Sequence, residues 1–481
     1  MSQRPLGDMD PEAFRQEGHR IVDWLADYLA APEPYPVLSR SKPGDLVRAL
    51  PAAAPEDGEP FEAIFADFEQ HVVPGLTHWN HPGFFAYFAI SASGPGILAE
   101  MLSAGLNVQA MLWRTSPAAT ELEQVTLRWL AQLMELPSTF EGVIYDTASI
   151  STLHALAAAR ELVVPDVRAR GMLARPDLPG VRVYCSEHTH SSIDKAVVLL
   201  GLGQQAIHRI PADHYHAMRA DHLAEAIAAD RRAGLRPLAV IASVGTTSST
   251  AVDPVDAIAD ICEAEGVWLH VDAAYAGVMA MVPAWRDSFR GMERADSIVV
   301  NPHKWLFTPF DLSVLFCRRM DVLKQAFSLV AEYLRTTDPS AVTNLMDTGI
   351  QLGRRFRALK LWMVLRYFGA EGIRARLEAH VHLARTFASW IDDAPDWERL
   401  APVPFSVVCF RRHPAGVEDE EMLERVNAAI LERVNQSGEA FLSHTKLDGR
   451  YTLRLAIGNI KTEERHVRRA WELLSSAAKT A

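Results

Sequence analysis

Lys304 and Asp272 are the two side chains whose types and setting suit a shared chemistry. Lys304 lies in Asn301-Pro302-His303-Lys304-Trp305, with Leu306 and Phe307 following. Apolar surroundings disfavour an ammonium group and lower its pKa. A neutral amine can then attack an aldehyde and hold it as a Schiff base. A lysine snorkelling from a loop into water has the same local sequence. Asp272 stands 32 positions earlier, at the end of the apolar run Leu269-His270-Val271. On its own it serves equally as a helix cap or an ion-pair partner. Beside an aldehyde-binding lysine it gains a specific use, because a fixed carboxylate keeps a heteroaromatic ring nitrogen protonated and makes the ring an electron sink.

A third segment, Asp146-Thr147-Ala148-Ser149-Ile150-Ser151-Thr152, precedes the helical run 153–162. Free N–H groups and the helix dipole make such a start an anion site. Thr147, Ala148 and Ser149 are candidates to hold a phosphate, and simple N-capping is the alternative. His190 in Glu187-His188-Thr189-His190 can stack flat on an aromatic ring. With His188, His270 and Asp272 it could instead ligate zinc, a reading that leaves Lys304 and the anion segment without a role. Gly245-Thr246-Thr247 can turn the chain beneath a ring. An aldehyde, a cationic heteroaromatic ring and a phosphate together describe pyridoxal 5′-phosphate (PLP). No GxSxG elbow, Walker loop or GxGxxG following a strand anchors a hydrolase or nucleotide-binding reading.

The elements that must position these residues alternate along the chain. Strands are predicted at 181–186, 237–244, 267–271, 296–300 and 313–317, with helices at 192–202, 221–233 and 254–265 between them. Continuous apolar strands imply a mainly parallel sheet buried on both faces, with ligands beyond the carboxyl ends of the strands. Before this region come a helix opened by Asp10 and Pro11, a proline-rich connection over 32–60, a helix over 61–71 and another from Ser116-Pro117. After a helix over 355–367 the pattern changes to strands at 406–410 and 451–457 and helices at 419–435 and 462–478. That is the pattern of a smaller α+β unit.

Composition narrows the function classes. The 481 residues are 49% hydrophobic and 22% charged, with a net charge of −12. An acidic chain lacks the basic face that nucleic acid requires. Cys185, Cys262, Cys317 and Cys409 form no CxxC pair, so neither a disulfide framework nor a cysteine metal site is expected, and a reducing compartment fits. The start has no apolar signal core, and no run reaches the length of a membrane span. A cytoplasmic protein without metal, membrane or nucleic-acid partners is expected.

The motifs HWNHPGFFAYF (78–88), SPAATELE (116–123), DTAS (146–149), HSS (190–192), LHVDAAYAG (269–277), NPHKW (301–305) and LGRRFRALKLW (352–362), in this order, resemble the group II PLP-dependent decarboxylases. The likeness is greatest to the aromatic-L-amino-acid enzymes of the DOPA type, and it spans nearly the whole chain. It implies a homodimer of fold type I. The N-terminal helical arm would occupy residues 1–88, the large cofactor-binding domain 89–370 and the C-terminal α+β domain 371–481. By this resemblance Lys304 carries the cofactor as an aldimine, Asp272 pairs with the pyridinium and His190 stacks on the ring. Ala148, Ser149, Asn301 and His303 surround the phosphate, while Thr246 lies near the ring. Thr147, Ala274 and Gly353 complete the expected cofactor contacts. Trp79, Tyr87 and Phe88, followed by Ala89 and Ile90, would line the substrate pocket. Gln109 and Met111 would reach it from the partner subunit. Tyr333 matches the tyrosine of a catalytic loop, and a phenol there can return a proton to the substrate carbon. Related aldehyde synthases typically have phenylalanine at that place.

Three stretches depart from the family pattern: Ala89-Ile90 for Pro-Thr, Gln109 for an apolar residue, and Met346-Asp347-Thr348 for a stretch with arginine and tryptophan. Gly353 leaves room for a large ring, which favours catechol, phenol or indole over imidazole. The expected reaction is decarboxylation of an aromatic L-amino acid to its amine. The alternatives are an enzyme of the same cofactor class, acting on a non-aromatic amino acid or forming an aldehyde, and a non-catalytic dimeric binding protein that keeps the fold.

Overall fold

Alternation along the strands decides the architecture. After its first residue, Arg236–Ser243 is buried throughout. Ala239 and Ile241 pack into one hydrophobic cluster, Val240 and Ala242 into another. Val183 and Cys185 are divided from Tyr184 in the same way, and Leu315 and Cys317 from Val314 and Phe316. A strand that is apolar on both sides must be covered on both, which is the condition of a layered α/β sheet.

The computed structural model describes residues 7–173, 175–329 and 342–480. Its large sheet contains β1 (Glu141–Tyr145), β2 (Val181–Ser186), β3 (Ile207–Ile210), β4 (Arg236–Ser243), β5 (Trp268–Asp272), β6 (Ser297–Val300) and β7 (Ser313–Cys317). Their order is β1-β7-β6-β5-β4-β2-β3. The pairs from β3 across to β6 are parallel. β7 runs antiparallel to both neighbours. The mainly parallel sheet is as the sequence predicts. β3 was not foreseen and β1 was given no bounds, because Ile207-His208-Arg209-Ile210 is half polar and Glu141–Tyr145 opens on a charge and a glycine, so neither reads as an apolar run. The helix Gly94–Leu106 also escaped prediction, since its small residues and Gly-Pro-Gly start give little amphipathic signal.

The helix Ala148–Val163 covers one face of the sheet. Ala155, Ala157, Ala158 and Ala159 are buried along it, and side chains this short let the helix lie close enough to aim its first turn over the strand ends.

A second, antiparallel sheet follows: β8 (Trp397–Arg399), β9 (Val407–Arg412), β10 (Ser443–Leu447) and β11 (Arg450–Ala456), in the order β10-β11-β9-β8. Helices Glu420–Ser437 and Glu464–Ala478 share its core. The helix Ala358–Asp392 connects the two regions and breaks at Gly369, whose φ of +64° is open to glycine at little cost. Phe85 is tied to this sheet by main-chain bonds with Phe441 and Ala456.

At the N-terminus Asp10 caps the helix Pro11–Ala30, accepting from the N–H groups of Glu12 and Ala13. None of that helix's residues is buried. Phe14, Ile21, Val22, Leu25 and Leu29 face Ile97, Leu98 and Met101 across an apolar groove of about 790 Å³. The predicted helix over 61–71 is Phe61–Asp67 continued by a wider π turn, Phe68–Val72. Among the described residues no helix is long and apolar enough to cross a membrane. All four cysteines are free and buried.

Candidate functional site

Five strand ends converge on one cavity of about 210 Å³. The chain after β1 contributes Thr147, Ala148 and Ser149, and the chain after β2 contributes His190. From β4 and its turn come Ser243, Gly245, Thr246 and Thr247. β5 and the residues after it give Asp272, Ala274 and Tyr275, and the segment after β6 gives Asn301, His303 and Lys304. Phe88 enters from outside the sheet. Lys304 and Asp272, separated in sequence, therefore face the same space.

Burial lowers the Lys304 pKa, and the Asp272 carboxylate opposes that shift. The Lys304 amine lies 5.1 Å from the Phe88 ring centroid. Phe88 stacks on Tyr275 at 3.8 Å, and Tyr275 on Trp305 at 4.8 Å. One Asp272 oxygen accepts the Ala274 N–H at 3.1 Å, which fixes the carboxylate at the mouth of its strand.

The histidines have set tautomers. Ser192 N–H donates to His190 Nδ1 at 3.1 Å, and Leu312 N–H donates to His303 Nδ1 at 2.9 Å. A backbone N–H can only donate, so when neutral each ring carries its proton on Nε2. Burial pushes the His190 pKa down, helped by the Lys304 charge and opposed by Asp272. The His303 pKa falls to about 3, through burial first and Lys304 second.

The anion segment is free to receive a ligand. Thr147 occupies the N-cap position of Ala148–Val163, yet its side chain makes no capping bond. Its hydroxyl turns to Asp146 at 3.0 Å. The first-turn N–H groups of a helix have no acceptor within it. Across the cavity, buried Asn301 carries a side-chain oxygen with no hydrogen-bond partner. Thr246 Oγ1 accepts the Ala251 N–H at 3.0 Å and so closes the turn beneath. Together the walls offer an amine for an aldehyde, a carboxylate for a cationic ring nitrogen, and polar groups for a phosphate.

Several predicted residues lie elsewhere. Trp79, Tyr87, Ala89 and Ile90 do not line this cavity. Tyr87, at φ +50°, is 54% exposed, so its side chain points away while that of its neighbour Phe88 points in. Trp79 stacks on Phe84 and Tyr87, at 4.2 and 6.0 Å, and Ala89 packs in the same apolar group. Gln109, Met111 and Gly353 form a further group. Gln109 Oε1 accepts the Arg354 N–H at 3.0 Å, Met111 packs with Leu112 and Met346, and Gly353 adjoins the Gln109 amide. Tyr333 lies outside the described residues. The zinc alternative fails on geometry, because His188 packs against His216 at 5.2 Å and His270 is buried between Thr152 and Ser297.

Besides Ser243, two residues near the cavity were not anticipated. Tyr275 lines it from within the quoted LHVDAAYAG. Arg454 of β11, 3% exposed, stands 5.5 Å from the Phe88 centroid and donates to the carbonyls of Thr247 and Ser248, both at 2.7 Å. Its signal was an arginine in the apolar run Leu453-Arg454-Leu455.

Comparison with known proteins gives a consistent result. Residues 43–413 match the family described as the pyridoxal-dependent decarboxylase conserved domain. A phenylacetaldehyde synthase of Arabidopsis thaliana is 42% identical, over 99% of this chain and 98% of that protein. Tryptophan decarboxylase 2 of Oryza sativa subsp. japonica is 41% identical, over 98% and 96%. A solved structure of Oryza sativa TDC with PLP and tryptamine superposes with a TM-score of 0.94 at 38% identity, covering 100% of this chain and 99% of that one.

Proposed function

Because the chain belongs to the pyridoxal-dependent decarboxylase family, we propose how its own residues carry out the reaction of a PLP-dependent carboxy-lyase acting on an aromatic L-amino acid. The observation that carries this reading is the shared cavity of Lys304 and Asp272, with an uncapped helix start and the unpartnered Asn301 oxygen opposite. The residues fit the cofactor at its aldehyde, its ring nitrogen and its phosphate.

Bound PLP supplies an electron sink for the pair left behind when the carboxylate departs as CO2. Lys304 would provide the amine that holds the aldehyde. Asp272 holds a proton on the ring nitrogen. His190 covers the ring, Thr246 and Ala274 border it, and Thr147, Ala148, Ser149, Asn301 and His303 hold the phosphate. Phe88 forms the near wall of the substrate side, and Trp79 and Ala89 belong to a separate apolar group. Tyr333 returns the proton to Cα.

We also propose a homodimer in which Gln109 and Met111 approach the partner's pocket. The helix Pro11–Ala30, none of whose residues is fully buried within its own chain, and its apolar groove support this. Light scattering of the purified protein would read one subunit mass if the dimer is wrong. Four free, buried thiols support a reducing, cytoplasmic setting. We take 1–88, 89–370 and 371–481 as the structural units, and the break at Gly369 supports the second boundary.

A second reading, aldehyde formation, is favoured by the 42% identity to a phenylacetaldehyde synthase. Incubation with tyrosine, DOPA, tryptophan, phenylalanine and glutamate, with CO2, amine, aldehyde and peroxide measured together, separates the two. Amine and CO2 in equal yield are expected. Stoichiometric aldehyde and peroxide would replace the proposal with the second reading, and turnover of glutamate alone would remove the aromatic substrate class.

A further inference from the structure

Glu123 and Arg354 do not line the cavity, yet they hold the strand that ends in its anion-binding turn. β1 is the edge strand of the large sheet, so Ile144 has no strand neighbour on its outer side. Glu123, on the helix Pro117–Leu133, accepts the Ile144 N–H on Oε1 at 2.9 Å. Arg354 donates to the Ile144 carbonyl at 2.7 Å and grips the same carboxylate through two nitrogens, at 2.8 and 3.3 Å. One ion pair thus satisfies both main-chain groups that a neighbouring strand would have satisfied. Glu123 is 2% and Arg354 8% exposed. In that setting charge-assisted bonds hold their geometry, and water is not at hand to replace either partner.

The clamp is braced from behind. Gln109 Oε1 accepts the Arg354 N–H at 3.0 Å, and the Arg354 carbonyl accepts the Ala110 N–H at 2.8 Å. Two residues beyond Ile144 the chain reaches Asp146, then Thr147, Ala148 and Ser149 of the cavity wall. Any movement of Ile144 along or across the edge is passed on to that turn, because only Tyr145 and Asp146 lie between the clamp and the turn.

We propose that Glu123 and Arg354 are positioning residues for the phosphate end of the cofactor, fixing where the Thr147–Ser149 turn meets the cavity. This rests on the cofactor reading given above. The phosphate should feel the loss of the clamp while the ring and aldehyde, held from β5 and β6, should not.

The test compares PLP with pyridoxal, which lacks the phosphate. Full-length wild-type and Glu123→Gln proteins, freed of cofactor, are titrated with each ligand and followed by the visible band. Glutamine keeps an acceptor for Ile144 but loses the charge that draws Arg354. The expected result is a rise in the Kd for PLP of about tenfold or more, with the Kd for pyridoxal within about twofold of wild type. Equal weakening of both ligands, which a merely structural role would produce, overturns the inference, as does no weakening of either. Should Glu123→Gln not fold, Arg354→Lys is read in the same way, since lysine brings one nitrogen where arginine brings two. Wild-type protein that binds pyridoxal as tightly as PLP would sink the cofactor reading. A wild-type preference for PLP that the variants retain would sink only the clamp.

Discussion

The Lys304 amine sits 5.1 Å from the centroid of Phe88, a ring held in place by its 3.8 Å stack on Tyr275. A cation near an aromatic ring is stabilised by roughly 0.5–2 kcal/mol. Burial acts on the same amine in the opposite sense. Phe88→Leu removes the ring and should push the Lys304 pKa further down. The pH dependence of the rate at which cofactor-free protein combines with pyridoxal reports this. Its midpoint should move to lower pH, and an upward movement would refute the contact's role.

Asp272→Asn keeps the size of the side chain and an acceptor for the Ala274 N–H, but not the charge. Loss of one preorganised electrostatic contact at a reacting centre costs about 10²–10³ in rate. Amine release should fall by that order while the thermal midpoint stays within a few degrees. Lys304→Ala should abolish turnover and the visible band together. Wild-type turnover in either variant would mean that these two residues do not carry the reaction.

Acid should destabilise the fold through buried histidines. Burial lowers the pKa of His154 and His303 to about 3, and of His270 and His380 to about 4. Unfolded histidine titrates near 6.5, so below that pH the unfolded chain binds protons that the folded chain refuses, and stability rises with pH. The contribution is complete above about pH 6.5 and is lost as pH falls towards 4 and then 3. At about 1.4 kcal/mol per pKa unit, each residue contributes on the order of 3 kcal/mol. Asp253 opposes this. It is buried, its pKa is raised to about 6, and its contribution is present below the unfolded carboxylate pKa and lost as pH rises through 6. Burial also lowers the His81 pKa to about 4 and raises that of Asp347, so the histidines outnumber the opposing carboxylates and the thermal midpoint should climb between about pH 5 and pH 7. His154→Gln should flatten the climb, and a level wild-type profile would contradict it.

Gly245 has φ +90°, and an added Cβ would stand 2.7 Å from that of Ala276. The turn lies beneath the cavity, between Ser243 and Thr246. Gly245→Ala should cost about 1–3 kcal/mol through overcrowding, with left-handed strain in addition. Melting curves with and without PLP should show a lower midpoint and a smaller shift on adding cofactor. An unchanged pair of curves would show that the turn has room to relax.

The legible parts of the molecule were those where one physical cause dominates. Strands buried on both faces announce themselves as apolar runs, as at 237–244, and the residues just past such runs fell into the cavity: Asp272, Thr246, Asn301, His303 and Lys304. What local pattern could not show was the direction of a side chain in an irregular segment. Within 84–90 Phe88 points in and Tyr87 out, because one residue adopts a left-handed backbone. Nor could it show partners far apart in sequence, such as Glu123 with Arg354 or Arg454 with Thr247. Each half of such a pair resembles any other charged residue until the fold brings the other half to it.

β5 and β6 pair as parallel neighbours, with Asp272 opposite Val299. Parallel rungs repeat at about 4.8 Å whatever side chains they carry. The lateral offset between the acid's strand and the strand that leads to the lysine is therefore gauged by backbone alone, like marks on a rule. Substitution in the walls can tilt or shorten a reaching group without altering that gauge. A one-residue deletion inside β5 would instead turn Asp272 to the opposite side of the sheet, and no change of side chain elsewhere could bring it back.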